Sequence, residues 1–446
     1  MTEILPGTWF IHPGWFAAVA ILLWATNALP EYLTALLFFA ALTIFRSAPA
    51  SVVFAGFESA AFWLVLSGFV LGAAIKKVGL ADRIANSLSG LLSRSWLSMV
   101  FGVVCLTYAL AFVMPSNMGR ITLLMPIIMA LADRTGLDEA GLHEAGLGEG
   151  SRGRIALALA VGLGTYELSA SILPANVPNL VMTGAAERAY GVHFGYLPYL
   201  VLHAPILGLV KGALITGFLV WMFPAQPRRV ESLAATEKMS PAEWRLSIIL
   251  LVTLALWVTD SLHGIQPAWV GLVAACICLL PGIGFLTSEE FAVGVNVRTC
   301  IYLAGILGLA AVVAWSGLGD LIGNAIIPLL PLDPASPAKS FASMVGLAGL
   351  LNFVVTANGL PAVFTPLAKS LADHSGFQLV TVLMSQVLAY ATPFLPYQAA
   401  PIVVAAGIAR VPMRYAALTC AAIAVISYAV LAPIDFFWFR ALGWIN

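Results

Sequence analysis

The chain has 446 residues, 61% of them apolar and 9% charged, with Lys+Arg 21 balanced by Asp+Glu 21. A soluble domain carries about 25% charged residues, so this surface suits lipid, and at roughly 20 residues per span the length holds about a dozen embedded segments. Zero net charge leaves no basic face, which excludes nucleic acid as a partner.

No Lys or Arg precedes the first apolar run at Trp15, so no cleaved secretory signal is expected. Apolar segments then run over 14–29, 32–45 and 60–76. Segment 95–132 is too long for one span and carries a polar tripeptide, Ser116-Asn117-Met118, in its middle. It reads as a re-entrant hairpin, entering and leaving the bilayer on one side. Segment 155–186 is broken by Pro174, Asn176, Pro178 and Asn179. Unpaired backbone at membrane depth is tolerated only where protein or a wet cavity covers it, so the break faces an interior site. A span over 197–223 follows, and then the longest polar stretch, 224–245, read as a cytoplasmic linker.

The second half repeats the plan. Spans at 246–262, 267–286 and 299–316 precede a second long hairpin, 338–372, centred on Ala357-Asn358-Gly359. A second broken segment, 378–409, carries Pro396, Gln398 and Pro401, and 415–434 closes the chain. Gly79 to Asn86 matches Gly317 to Asn324, and Pro126 to Gly136 matches Pro366 to Gly376, in the same order. Matches in the same order at nearly the same offset, 238 and 240 residues, argue for an internal repeat. Residues 1–223 form the first repeat and 246–446 the second.

Each hairpin counts as no crossing and each broken helix as one, so each half has five spans. An odd number inverts the second half. With the N-terminus outside, Lys76, Lys77, Arg83, Arg94, Arg134, Arg152, Arg154, Arg228, Arg229, Lys238, Arg245, Arg298, Arg410 and Arg414 fall inside. Arg46, Arg188, Lys339, Lys369 and Arg440 fall outside, an asymmetry that satisfies the positive-inside rule. The expected fold is an all-α polytopic membrane protein, an inverted repeat of two five-span halves with both termini outside. Inverted repeats whose broken helices meet at the midplane mark secondary transporters.

At each hairpin tip a helix begins. Ser116 and Asn117 suit an N-cap, and free N–H groups at the positive dipole end favour an anion. Asn358 supplies an amide at the second tip, and Gly359 admits a ligand close to the backbone. In the breaks, prolines free carbonyls, and carbonyls coordinate cations. A tip facing a break thus offers amides to an anion and carbonyls to a cation.

Ionisable residues at membrane depth are functional candidates by default, and here they include Arg120, Glu167 and Lys211. Arg120 has two open roles, contact with an anionic substrate or a structural pair with Glu167. Glu167 is alternatively a proton carrier. The ion pair ranks first, because an unpaired charge is costly there. Lys211 reads as a snorkelling or packing lysine, and His203 as structural. Cys105, Cys276, Cys278, Cys300 and Cys420 lie in apolar runs and read as small buried hydrophobes.

At these residues the chain resembles the divalent anion:sodium symporter family of the ion transporter superfamily. Members carry a Ser-Asn-Thr motif at each hairpin tip and a Pro-Pro-Asn type motif in each broken helix. Here the tips read Ser116-Asn117-Met118 and Ala357-Asn358-Gly359, and the breaks Val177-Pro178-Asn179 and Ala400-Pro401-Ile402. Segment 66–80 is also similar to the family's span leading into the first hairpin, and 24–35 to its early spans. The chain departs from the family at Met118, Ala357 and Gly359, at Phe112 where members place a further sodium-binding hydroxyl, and at Arg120 where small residues are usual.

The resemblance implies an elevator-type homodimer, joined through scaffold spans, in which hairpins and broken helices carry substrate. It implies substrate binding by Ser116, Asn117, Met118, Arg120, Asn179, Ala357, Asn358, Gly359 and Pro401. Ion coupling is expected from Ser116, Asn117, Ser169, Ser171, Asn176, Thr356, Asn358 and Gln398, with Na+ at the hairpin tips and Glu167 as the proton alternative. The expected function is transport of a small di- or tricarboxylate across the cytoplasmic (inner) membrane, by cation-coupled symport or anion exchange. The alternative is a proton-coupled antiporter, or an oxyanion, metalloid or sulfonate transporter. No nucleophile and base share a plane, which argues against an enzyme, and hairpins from opposite faces argue against a channel.

Overall fold

Inside lipid a backbone must satisfy its own hydrogen bonds, and among the described residues every regular element is helical. The computed structural model describes residues 12–26, 28–80, 83, 94–114, 116–137, 149–228, 238–318 and 325–445. Helices α1 (Pro13–Thr26) and α2 (Glu31–Ile44) lead through two one-turn pieces to α3 (Ala60–Val78), whose Ala61 N–H is accepted by Ser59 Oγ at 3.2 Å. The first hairpin is α4 (Trp96–Ala111) and α5 (Asn117–Arg134). The first broken helix is α6 (Glu149–Glu167), two 3₁₀ turns over 168–175, and α7 (Val177–Tyr190). Helix α8 (Tyr196–Met222) ends the half, its ladder loosened into a π segment at Ala204–Val210 around Pro205.

The same order recurs in the second half. Helices α9 (Pro241–Val258) and α10 (Pro267–Leu279), and the short helix Ser288–Gly294, precede α11 (Val297–Trp315). The second hairpin is α12 (Pro337–Val354) and α13 (360–375). The second broken helix is α14 (Leu379–Tyr390), a 3₁₀ turn Pro396–Gln398, and α15 (Ala400–Ile408). Helix α16 (Met413–Ala441) again carries a π segment, Ser427–Leu431, beside Pro433. Among the described residues five helices, α3, α8, α9, α11 and α16, are long and apolar enough to cross a bilayer.

The matched glycines take matched conformations. Gly79 and Gly317 have φ of 79° and 70°, and Gly136 and Gly376 have 77° and 74°. This left-handed region is open to glycine without cost. Residues 81–82, 84–86 and 319–324 of the first match, along with Pro115, lie outside the described residues, as do 229–237 of the linker.

Helix α6 is buried on every face from Ile155 to Val161, which an apolar-all-round helix requires. It packs against both arms of its own hairpin and against α15 from the other half. Helix α7 in turn packs on α11 and α13. Each broken helix thus leans its second segment on the opposite half. The periphery is outward and apolar. Cys105 and Cys276 lie on that exposed surface, which corrects the expectation that all five cysteines are buried. Cys278, Cys300 and Cys420 are buried.

Glycine contacts lock α11 to the first half. A Cβ on Gly56 would stand 2.1 Å from the Ala304 carbonyl oxygen, where only backbone could yield. Gly56→Ala is therefore expected to cost about 1–3 kcal/mol, the range for overpacking, read as a lower melting temperature in detergent.

Candidate functional site

The first tip is organised by Asn117. Ser116 caps α5, its Oγ accepting from the Gly119 N–H at 3.1 Å. Asn117 Oδ1 accepts from Ser169 Oγ at 3.1 Å and from an Arg120 Nη2–H, while Nδ2 donates to Asn176 Oδ1 at 3.3 Å. Asn176 is itself oriented by donating to the Tyr166 carbonyl at 3.2 Å. The amide that faces the interior is thereby fixed by both the hairpin and the break.

Arg120 lies behind Asn117, fully buried. Its guanidinium donates to the carbonyls of Met114, Thr165 (3.1 Å) and Ala175 (3.4 Å). The expected pair with Glu167 does not form. Glu167 is paired with Lys211 of α8, Nζ to Oε2 at 2.8 Å, both side chains being 1% exposed or less. The end of α6 turns Glu167 toward α8, away from the hairpin, and Arg120 finds its partners among carbonyls freed by the break. Nor does Lys211 snorkel. Its ammonium donates to the Ala391 carbonyl and to Thr392 Oγ1, each at 2.7 Å. It therefore ties α8 to the ends of both α6 and α14.

The second tip is backbone-built. The Thr356 carbonyl accepts from the N–H groups of Gly359 (2.8 Å) and Leu360 (3.1 Å), and the Ala357 N–H donates to the Gln398 carbonyl at 3.0 Å. Gln398 bridges tip and break, donating to the Asn352 carbonyl and accepting from the Leu395 N–H at 2.8 Å.

Between these parts lies a cavity of about 340 Å³, near the small end of the roughly 300–1,000 Å³ range of ligand sites. Ser116, Asn117, Met118, Asn358 and Pro401, all expected site residues, line it, with Pro174, Val177 and Ala400 from the breaks. Other candidates sit behind this lining. Ala357, Gly359 and Thr356 shape the second tip, while Arg120, Ser169 and Asn176 support Asn117. Asn179 donates into the break, to the carbonyls of Ala170 (3.1 Å), Ile172 (2.9 Å) and Leu173 (3.3 Å). Ser171 meets the Tyr108 hydroxyl at 3.0 Å.

The opposite wall comes from residues that sequence reasoning passed over. Glu31 and Tyr32 of α2, and Asn296, Arg298, Thr299 and Tyr302 of or just before α11, all line the cavity. Arg298, read from the sequence as an ordinary inside charge, stacks its guanidinium 5.7 Å from the centroid of the Tyr32 ring. Polar residues at the starts of two apolar runs, Glu31 and Asn296, were the available signal. The site thus joins amides, one cation (Arg298) and one carboxylate (Glu31) in a partly apolar enclosure. Among the described residues no cluster of three His, Cys, Asp or Glu side chains could hold a metal ion.

The family described as sodium:sulfate symporter transmembrane region matches residues 13–445. A membrane protein of Cupriavidus necator is 23% identical over 405 residues, covering 88% of this chain and 77% of that one. Dicarboxylate transporter 2, chloroplastic, of Spinacia oleracea is 25% identical over 63% of this chain and half of its own length. Among solved structures, MtrF of Neisseria gonorrhoeae, described within a class of antimetabolite efflux pumps, superposes with a TM-score of 0.54 at 14% identity, over 98% of this chain and 95% of that one. That likeness is one of fold alone.

Proposed function

The chain belongs to the sodium:sulfate symporter family, and from that premise we propose that it is a secondary transporter of a small organic anion, of the di- or tricarboxylate class. The observation that carries this reading is the cavity shared by the two hairpin tips. Asn117 and Asn358, each at or beside the start of a helix, meet there across the two breaks. Amide donors at helix N-termini select an anion, and a ribbon of apolar wall from Val65, Phe69, Val177 and Leu180 suits a short carbon chain.

The two halves are related by inversion, as the recurring element order and the charge asymmetry suggest, with both termini outside the cytoplasmic membrane. Hairpins, broken helices, α8 and α16 form the carrier, and α1–α3 with α9–α11 form the frame and the homodimer contact. The Lys211 pair supports this division, since it pins α8 to both breaks. The cavity lies between carrier and frame, where a sliding carrier would expose it alternately. Glu167 lies away from the cavity lining, so the proton-antiport alternative gains no support.

Proteoliposomes, empty or preloaded with unlabelled anion, are tested for uptake of labelled succinate, citrate, sulfate and a sulfonate under sodium and proton gradients. Uptake of succinate or citrate is expected. Preference for sulfate or a sulfonate would move the reading to the oxyanion class, and failure of every anion in every gradient would refute it.

A further inference from the structure

Sodium, the ion in the family's description, needs oxygen ligands around an open position, and in broken-helix transporters unwound carbonyls and half-helix C-termini supply them. Both breaks of this chain present such oxygens, and at both a cationic side chain already holds them. At the first, Arg120 engages the carbonyls of Met114, Thr165 and Ala175 and the Asn117 side-chain oxygen. These come from the end of α4, the tip, the end of α6 and the break. At the second, Lys211 engages the Ala391 carbonyl and Thr392 Oγ1. Both cations have no solvent exposure. Met118 and Gly359 stand at the tip positions where the resembled family's motif carries threonine. The residues present therefore do not fit sodium at these two positions.

We infer that Arg120 and Lys211 are resident cations, built into the positions that a coupling sodium ion would take, so that the anion is carried without sodium. The inference rests on the anion-transport reading above. The two cations differ in one respect. Lys211 is neutralised by Glu167, whereas among the described residues no carboxylate lies within ion-pair distance of Arg120. Arg120 is a fixed positive charge behind the amide that lines the cavity, and a guanidinium stays protonated. With a dicarboxylate bound, the Arg120 charge cancels one of the substrate's two negative charges, a part that a sodium ion would otherwise play.

The test uses the full chain. Uptake of labelled succinate into succinate-loaded liposomes is expected to change less than twofold when sodium is replaced by choline. Purified protein with succinate present is expected to show no saturable ²²Na⁺ binding. A tenfold loss of uptake in choline, or saturable ²²Na⁺ binding, overturns the inference. Failure of all anions to enter refutes the transport reading instead, and the ²²Na⁺ measurement still decides the cation question. Arg120→Ala frees the oxygens of the first break and is expected to gain sodium-dependent thermal stabilisation that the parent lacks. If sodium stabilises the parent as much as this variant, the inference fails. Should the variant not fold, the ²²Na⁺ result on the parent stands as the test.

Discussion

Asn117→Asp is expected to abolish anion uptake while leaving the protein folded and at least as heat-stable as the parent. The change is nearly isosteric. Its effect on structure is favourable, because Oδ1 already accepts from Arg120 and Ser169, and a carboxylate there makes a charge-assisted bond. The oxygen that replaces Nδ2 faces Asn176 Oδ1, so Asn176 turns its amide over, exchanging its bond to the Tyr166 carbonyl for a charge-assisted one. The effect on function is opposite. The new negative charge lines the cavity and neutralises Arg120 behind it. Two like charges about 4 Å apart repel by about 4 kcal/mol at an effective dielectric near 20, which is roughly three orders of magnitude in affinity. The measurement pairs proteoliposome uptake with a melting curve in detergent. Uptake within tenfold of the parent would remove Asn117 from the substrate site, and a collapsed melting temperature would show that its role is structural.

Lys211→Met is expected to be strongly destabilising. It removes the partner of Glu167 and leaves a carboxylate with 1% exposure unpaired. Breaking a buried pair from one side costs about 3–5 kcal/mol. The same change strips the donor from the Ala391 carbonyl and the Thr392 hydroxyl. Lys211→Met combined with Glu167→Gln removes the stranded charge, and is expected to recover more than half of the lost stability. The double-mutant cycle isolates that coupling. Additive losses would mean that Glu167 and Lys211 do not act as a pair. Glu167→Gln alone is expected to be milder, since the ammonium keeps two of its three partners.

Much of the site was legible before any coordinates. The tips at Ser116-Asn117 and Asn358 and the breaks at Pro174 and Pro401 stand out because polar and proline residues interrupt long apolar runs. In lipid such interruptions must be covered by protein, so they point inward by necessity. Five of the expected residues do line one cavity. The rest of the lining was not legible. Glu31, Tyr32, Arg298 and Tyr302 come from elements distant in sequence, and the one local signal, a polar residue at the start of a span such as Glu31, reads equally as facing a headgroup.

The wrong pairing of Arg120 has the same origin. The cost of an unpaired charge at membrane depth suggested Glu167 as partner, yet the break had freed enough carbonyls to hold the guanidinium without a counter-ion. The cysteines show the general reason. Cys105 and Cys276 face outward and Cys278 inward from equally apolar runs. In water, hydrophobicity reports which side of a helix is buried, but lipid tails are as apolar as a core. By itself, then, the sequence determined the medium, the helices and the places where helices break, because backbone hydrogen bonding is a local demand. Only the tertiary structure decided which face meets which, and so which cation sits at each break, because in lipid the inward and outward faces of a helix read alike.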